Sequence, residues 1–388
     1  FNTIQDINVI NFIKNKTISP MNNNEIHFSY HQGPKVEILG DTPSKYHIKF
    51  YDNNTGNLLH EDHIQNNMWT KSNIEYFVEW KIEIWSKGQL IHTELFDLRN
   101  KRVIIYLDSK SVGDTIAWFP YIEKFRKKHK CQIICSTYHN EWFESQYPEI
   151  EFTPIGSSSP NIYAIYAIGW FNNGNKNPNN PITIPLQKTA TDILGLSYKE
   201  LKPKVSIPST STPIKGKYIT LAIQSTSQAK YWNYKGGWQQ VVDFLNSEGY
   251  KVVCIDQHPT FGTIGCMNPM PQNVIDKTGC SFEEAISLMD NAKFHLGLSS
   301  GLSWIAWALE THVVMISSFS NPICEFTTNI TRIYNDNSSS GYYNDIKYKF
   351  DPGNWNWYPF KKMSILEDWY KIETITPKQV INEIKQIL

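Results

Sequence analysis

Three short stretches hold the residues whose types and spacing can do chemistry, and each follows a buried-looking apolar run. In LDSKSVGDTIAW, Gly113 and Asp114 stand where an apolar strand passes into a helix, with Gly113 read as the turn residue. A carboxylate aimed from that place can take the proton of an attacking hydroxyl. Asp is also a good helix N-cap, and taken alone the segment favours the cap. Asp108, at the end of the same strand, is a weaker candidate for the base. In IQSTSQAKYWN, Ser225, Thr226 and Ser227 follow a strand, and Lys230 comes soon after. Hydroxyls and an ammonium suit a diphosphate, because each oxygen needs a donor and the leaving group gains charge. A solvated loop with a surface lysine is the plain alternative. In LGLSSGLSWIAWALE, a strand ends at Ser299-Ser300-Gly301 and a helix begins at once. Small residues there let backbone amides approach phosphate oxygens, and the helix dipole favours their charge. Such Gly-Ser loops are common, so alone this one is weak. Asp256, closing the strand in VCIDQHP, fits a ribose or adenine contact and equally a surface loop acid.

Open parallel sheets bind ligands outside the carboxyl ends of their strands, so the elements that must position these residues are βαβ units. From Lys101 the chain reads KRVIIYLDS as strand, DTIAWFPYIEKFRKKH as helix, CQIICST as strand, EWFESQYP as short helix, then EFTPIG and IYAIYAIGW as strands. A second series starts at Tyr218, with KYITLAIQS, YKVVCID, FHLGLS and HVVMISS as strands separated by helical stretches. Alternation of this kind implies parallel sheets covered on both faces. SIPSTSTPIKGK between the two series reads as a linker. Residues 26–97 instead alternate polar and apolar, with Asn and Gly turns, and read as a small antiparallel module before the main body. The expected fold class is α/β, with two doubly wound Rossmann-like domains facing a cleft behind an N-terminal β-rich module. The expected divisions are 1–100, 101–213 and 214–388. The final amphipathic helix, PKQVINEIKQIL, can pack on either half.

Composition narrows the classes. The 388 residues carry 37 basic and 37 acidic side chains, and this zero balance argues against nucleic-acid binding. No run of 18 apolar residues suggests a membrane span, and FNTIQDINVINFIKNK does not read as a signal peptide. Six cysteines are scattered without a CxxC pair, which fits reduced thiols in a cytoplasmic protein. Aromatic residues make up 14%, a share that suits sugar-handling surfaces and large cores alike.

Taken in order, LDSKSVGDTIAWFPYIEKF, ATDILGLSYKELKPKV, STSQAKYWN and GLSSGLSWIAWAL resemble heptosyltransferases that use ADP-heptose. The likeness is closer to the bacterial autotransporter heptosyltransferases, GT-B glycosyltransferases that place heptose on serines of adhesins. EFTTNITRIYNDNSSSGYYNDIKYKFDPGNWNWYP resembles the C-terminal signature of that branch. The resemblance implies an inverting O-glycosyltransferase with ADP-heptose as donor, a Ser-rich protein as acceptor and a possible homo-oligomer. It implies Asp114 as general base and Lys230, Ser225 and Thr226 on the diphosphate. It also implies Ser299, Ser300, Gly301 and Ser303 around the phosphate and sugar, and Gly113, Thr115, Asp256 and Leu302 complete the expected nucleotide-sugar-binding set. Lipopolysaccharide heptosyltransferases usually carry Asp and His within the late turn; Ser299 and Trp304 stand there, which favours the protein-modifying branch. The branch also carries an iron-binding finger with a CxxC pair and a later cysteine. At about 325–360 this chain has Ser339, Tyr342 and Tyr358 at those places, and the resulting expectation is a finger without metal and an enzyme without a cofactor. Two readings stay open beside it: another sugar or a lipopolysaccharide acceptor, and a non-catalytic carbohydrate- or nucleotide-binding protein on the same fold.

Overall fold

The computed structural model describes residues 17–18, 24–207, 214–227, 230–262, 267–317, 320–334, 342–344, 346 and 375–388. The described residues fall into two compact units. The first is drawn from Phe1–Lys110, Trp118–Pro181 and Gln187–Lys199, and the second from Ser111–Ala117, Ile182–Leu186 and Glu200–Leu388.

The strands before residue 100 are β1 (Thr17–Ile18), β2 (Glu25–His31), β3 (Lys35–Leu39), β4 (Lys45–Asp52), β5 (Leu58–Gln65), β6 (Met68–Lys71), β7 (Trp80–Ser86) and β8 (Gln89–Leu95). They divide between two sheets according to their burial. β4 and β7 alternate buried and half-buried residues, as strands with one covered face do, and form the centre of the antiparallel sheet β5-β4-β7-β8. β2 buries Ile26, His27 and Phe28 in succession and so needs cover on both faces. It joins the parallel sheet built on β9 (Arg102–Leu107), β10 (Gln132–Ser136), β11 (Ile150–Phe152) and β12 (Ile162–Ile168), in the order β11-β10-β9-β12-β2-β3-β6. The antiparallel start expected before the main body thus contributes β2, β3 and β6 to this same sheet, β2 pairing parallel with β12 while β2, β3 and β6 pair antiparallel among themselves.

The expected helix after β9 is two helices, α1 (Val112–Trp118) and α2 (Pro120–His129). Pro120 is tolerated only at a helix start, since its ring removes an amide donor and crowds the preceding turn. The short helix expected in EWFESQYP is a single 3-10 turn, Asn140–Trp142. α3 (Leu186–Ile193) ends at Gly195, whose φ of 60° is the left-handed conformation a helix terminus often needs.

The second unit contains β13 (Tyr218–Leu221), α4 (Gly237–Ser247), β14 (Lys251–Cys254), β15 (Thr260–Phe261), β16 (Asn268–Pro269), β17 (Ile275–Asp276), α5 (Phe282–Asp290), β18 (His295–Leu298), α6 (Gly301–Ala308), β19 (Val313–Ile316), β20 (Ile330–Ile333) and α7 (Pro377–Lys385). Its sheet runs β17-β14-β13-β18-β19-β20 with every pairing parallel. The continuous apolar runs of β13 and β19 are buried at every residue, as a sheet covered on both faces requires. α7 packs within this unit against α4 and β20. Its first turn is fixed by a capping box between Thr376 and Gln379, and Trp232 Nε1 donates to the Ile375 carbonyl at 2.8 Å. No helix among the described residues is long and apolar enough to cross a membrane.

Candidate functional site

The second unit brings the start of α1 against the start of α6. A Cβ on Gly113 would meet Trp304 Cδ1 at 3.1 Å and Gly301 Cα at 3.7 Å. A Cβ on Gly301 would meet Val112 Cβ at 2.7 Å and the Gly113 amide nitrogen at 3.3 Å. Gly301 is therefore required by the approach of the other helix, and Gly113 leaves little room for a side chain against Trp304. Gly113 is the second residue of α1 and not the preceding turn, so its expected role is corrected from backbone freedom to close packing. Asp114 is the third helical residue, buried, and not the N-cap that the segment alone favours. Thr115 serves its own helix: its hydroxyl and its amide both donate to the Ser111 carbonyl, at 3.0 and 3.1 Å.

Lys230 is half-buried, and burial lowers its ammonium to about 8 while the Asp114 carboxylate pulls the other way. Asp114 also helps to raise the phenol of Tyr343, after burial itself. Three polar atoms at the carboxyl ends of β13 and β18 are buried and have no hydrogen-bond partner among the described residues: Gln224 Oε1, Ser227 Oγ and Ser300 Oγ. Leaving such a group unsatisfied costs about 1–3 kcal/mol, so these three atoms, at the strand ends where open parallel sheets bind ligands, are candidates for partners that a ligand supplies. Ser300 is the residue before α6 and its hydroxyl caps nothing, so the first amides of α6 lack a side-chain cap. Ser225 is half-buried and Thr226 exposed in the same loop. Gln224 is missing from the residues the sequence singles out, although its place directly after β13 is where such sheets bind ligands. Tyr343 carries no local signal at all.

Several expected contacts point elsewhere. Asp256 is buried at 2% exposure, and its carboxylate accepts from the Ile223 and Gln224 amides at 2.8 and 3.0 Å. It is not an exposed loop acid; its carboxylate fastens the end of β13. Desolvation outweighs those two bonds and raises its carboxyl to about 6. Ser303 donates to the Leu298 carbonyl at 2.7 Å and is wholly buried, closing the turn from within. Ser299 is bound to Glu325 and lies 3.3 Å from the Ser320 hydroxyl. Leu302 is a half-buried helical residue. Asp108 belongs to the first unit, where burial raises its carboxyl against the pull of Lys176.

Residues 185–347 match glycosyltransferase family 9 (heptosyltransferase). Autotransporter heptosyltransferase Aah of Escherichia coli is 34% identical over 376 residues, 94% of this chain and 93% of that protein. TibC of enterotoxigenic E. coli, solved as an iron-containing dodecameric glycosyltransferase, aligns at 31% identity with a TM-score of 0.85, covering 93% of this chain and 95% of TibC. Its structure in complex with ADP-D-beta-D-heptose aligns with a TM-score of 0.87 at 30% identity, over 97% and 99%. Inactive autotransporter heptosyltransferase BimC of Burkholderia thailandensis is 29% identical over 344 residues, 84% of this chain and 77% of BimC. The iron of TibC overturns the expectation of an enzyme without a cofactor. Ser339 and Tyr358, on which that expectation leaned, lie outside the described residues, as does the Tyr342 side chain. Among the described residues, no three His, Cys, Asp or Glu side chains are grouped to hold a metal ion.

Proposed function

The chain belongs to the autotransporter heptosyltransferases, and we propose that it transfers heptose from ADP-heptose, with inversion, to Ser or Thr hydroxyls of an autotransporter-type protein. Asp114 accepts the proton of the acceptor hydroxyl, whose oxygen attacks the anomeric carbon from the face opposite the phosphate. The bond from that carbon to the phosphate oxygen breaks, and its electron pair leaves with ADP. Lys230 and the first amides of α6 receive the growing negative charge, and only the part of that contact that strengthens in the transition state accelerates the reaction. The hydroxyls of Ser227 and Ser300 gain phosphate oxygens as partners. The observation that carries this reading is the mutual approach of Gly113 and Gly301, which sets the Asp114 turn against the α6 start.

The parallel sheet of the first unit is read as the acceptor-side Rossmann-like domain and that of the second as the donor-side domain, with the Asp114 turn counted with the second. By likeness to TibC the working form is a homo-oligomer and the chain an iron protein. The described residues supply no fitting donor set, so no step is derived through iron. The five described cysteines are free, and the enzyme is read as cytoplasmic.

The similarity to BimC keeps a second reading in play, a protein that binds nucleotide sugar without turnover. Intact-mass analysis of a co-expressed Ser-rich autotransporter passenger separates the two. Transfer adds whole heptose residues to the passenger. An unmodified passenger beside a folded, ADP-binding protein leaves the non-catalytic reading standing.

A further inference from the structure

Behind the Ser300 turn lies a buried network that no step of the transfer uses. Glu325, 6% exposed, accepts from the Ser320 hydroxyl at 2.8 Å, from Ser299 and from Arg332 Nη1. Arg332 extends from β20 and donates its other terminal nitrogen to Ser317 Oγ at 3.0 Å and to the Ser320 carbonyl at 2.9 Å. One ion pair thus joins the carboxyl ends of β18 and β19 to the loop at 320–325. A buried pair of this kind seldom adds net stability over apolar residues of the same size, because both charges lose water. What it does supply is fixed direction, since the guanidinium fork and the carboxylate accept few arrangements. The residue it grips, Ser299, immediately precedes Ser300, whose buried hydroxyl has no partner among the described residues.

We infer that the Glu325–Arg332 pair is a positioning device, which through Ser299 holds the Ser300 hydroxyl and the α6 amides where the donor's diphosphate must lie. The inference rests on the donor-site reading above. Arg332 and Glu325 touch no substrate in it; they act through the turn.

Two variants test it, each measured for thermal midpoint and for ADP affinity by titration calorimetry. Ser299→Ala cuts the link between the turn and Glu325 but leaves the ion pair whole. It keeps a thermal midpoint close to wild type and weakens ADP binding severalfold. Glu325→Gln alone strands a buried guanidinium and lowers the midpoint. The double variant Glu325→Gln/Arg332→Met removes that charge and recovers most of the midpoint, while ADP binding stays about tenfold weaker, equal to about 1.4 kcal/mol. A purely structural role gives the opposite pattern: ADP affinity unchanged in Ser299→Ala and restored with the midpoint in the double variant. That result overturns the inference. Wild-type protein that fails to bind ADP overturns instead the donor-site reading on which it stands. If the double variant does not fold, Ser299→Ala alone decides.

Discussion

Asp114 and Asp256 are two aspartates of one unit, almost equally hidden from solvent at 6% and 2%. They differ in what surrounds them. Asp256 has both oxygens engaged by backbone amides and fixes the strand end beside it. Asp114 stands in the first turn of α1, within electrostatic reach of Lys230 and Tyr343. A buried carboxylate that satisfies backbone donors is part of the framework. One that is coupled to a lysine with a depressed pKa is a candidate for chemistry.

The sharpest way to break this comparison is to exchange each carboxylate. Asp114→Asn keeps the fold and leaves ADP binding near normal, while transfer falls about a hundredfold to ten-thousandfold, the usual effect of losing a general base. A mutant that keeps more than about a tenth of wild-type turnover makes Asp114 a framework residue too. Lys230→Ala weakens ADP binding by roughly 1.5–3 kcal/mol if its ammonium meets the diphosphate as a charge-assisted donor. Lys230→Arg restores little, because a planar fork does not replace a compact charge at the same point. An unchanged ADP dissociation constant in the alanine variant removes Lys230 from the site.

Asp256→Ala moves the other way. It leaves the Ile223 and Gln224 amides without their acceptor and destabilises the protein by about 1–3 kcal/mol. Its effect on ADP affinity is smaller than that of Lys230→Ala. Chemical denaturation and calorimetry on the same samples compare the two. A stable Asp256→Ala protein that has lost ADP binding reinstates Asp256 as a nucleotide ligand.

The sequence makes the parallel strands and the turn before α6 legible, because apolar runs and small residues ahead of a helix are local signals. Local signals also mislead where the deciding contact is remote. Gly113 reads as a turn glycine, yet Trp304 and Gly301, nearly two hundred positions away, crowd it. Asp256 reads as a loop acid because its partners lie on a neighbouring strand end. The strands β2, β3 and β6 read as a separate module, since pairing of β2 with β12 is invisible to periodicity. Pro120 is the exception that local reading passes over: it announces the break between α1 and α2.

The smallest expected effect is a pH dependence that belongs to Lys230 alone. Its folded value of about 8 lies below the ordinary 10.5, so burial disfavours the charged form. Below pH 8 the ammonium is present and ready for phosphate; above it, the free protein has lost the proton that binding requires. ADP affinity is therefore about twofold weaker at pH 8 than at pH 7 and about fourfold weaker at pH 8.5, as one group titrating at about 8 dictates. The same shift has a stability sign. Between about 8 and 10.5 the unfolded chain keeps a proton that the folded one has released, so the stability due to this group rises with pH across that window. Lys230→Met accordingly raises the thermal midpoint at pH 7, and the gain shrinks as pH passes 8. Calorimetric titration of ADP at pH 7, 8 and 8.5, in wild type and in Lys230→Ala, isolates the effect. A slope that persists in the alanine variant assigns the titration to another group and takes from Lys230 the feature that most separates its surroundings from those of Asp256.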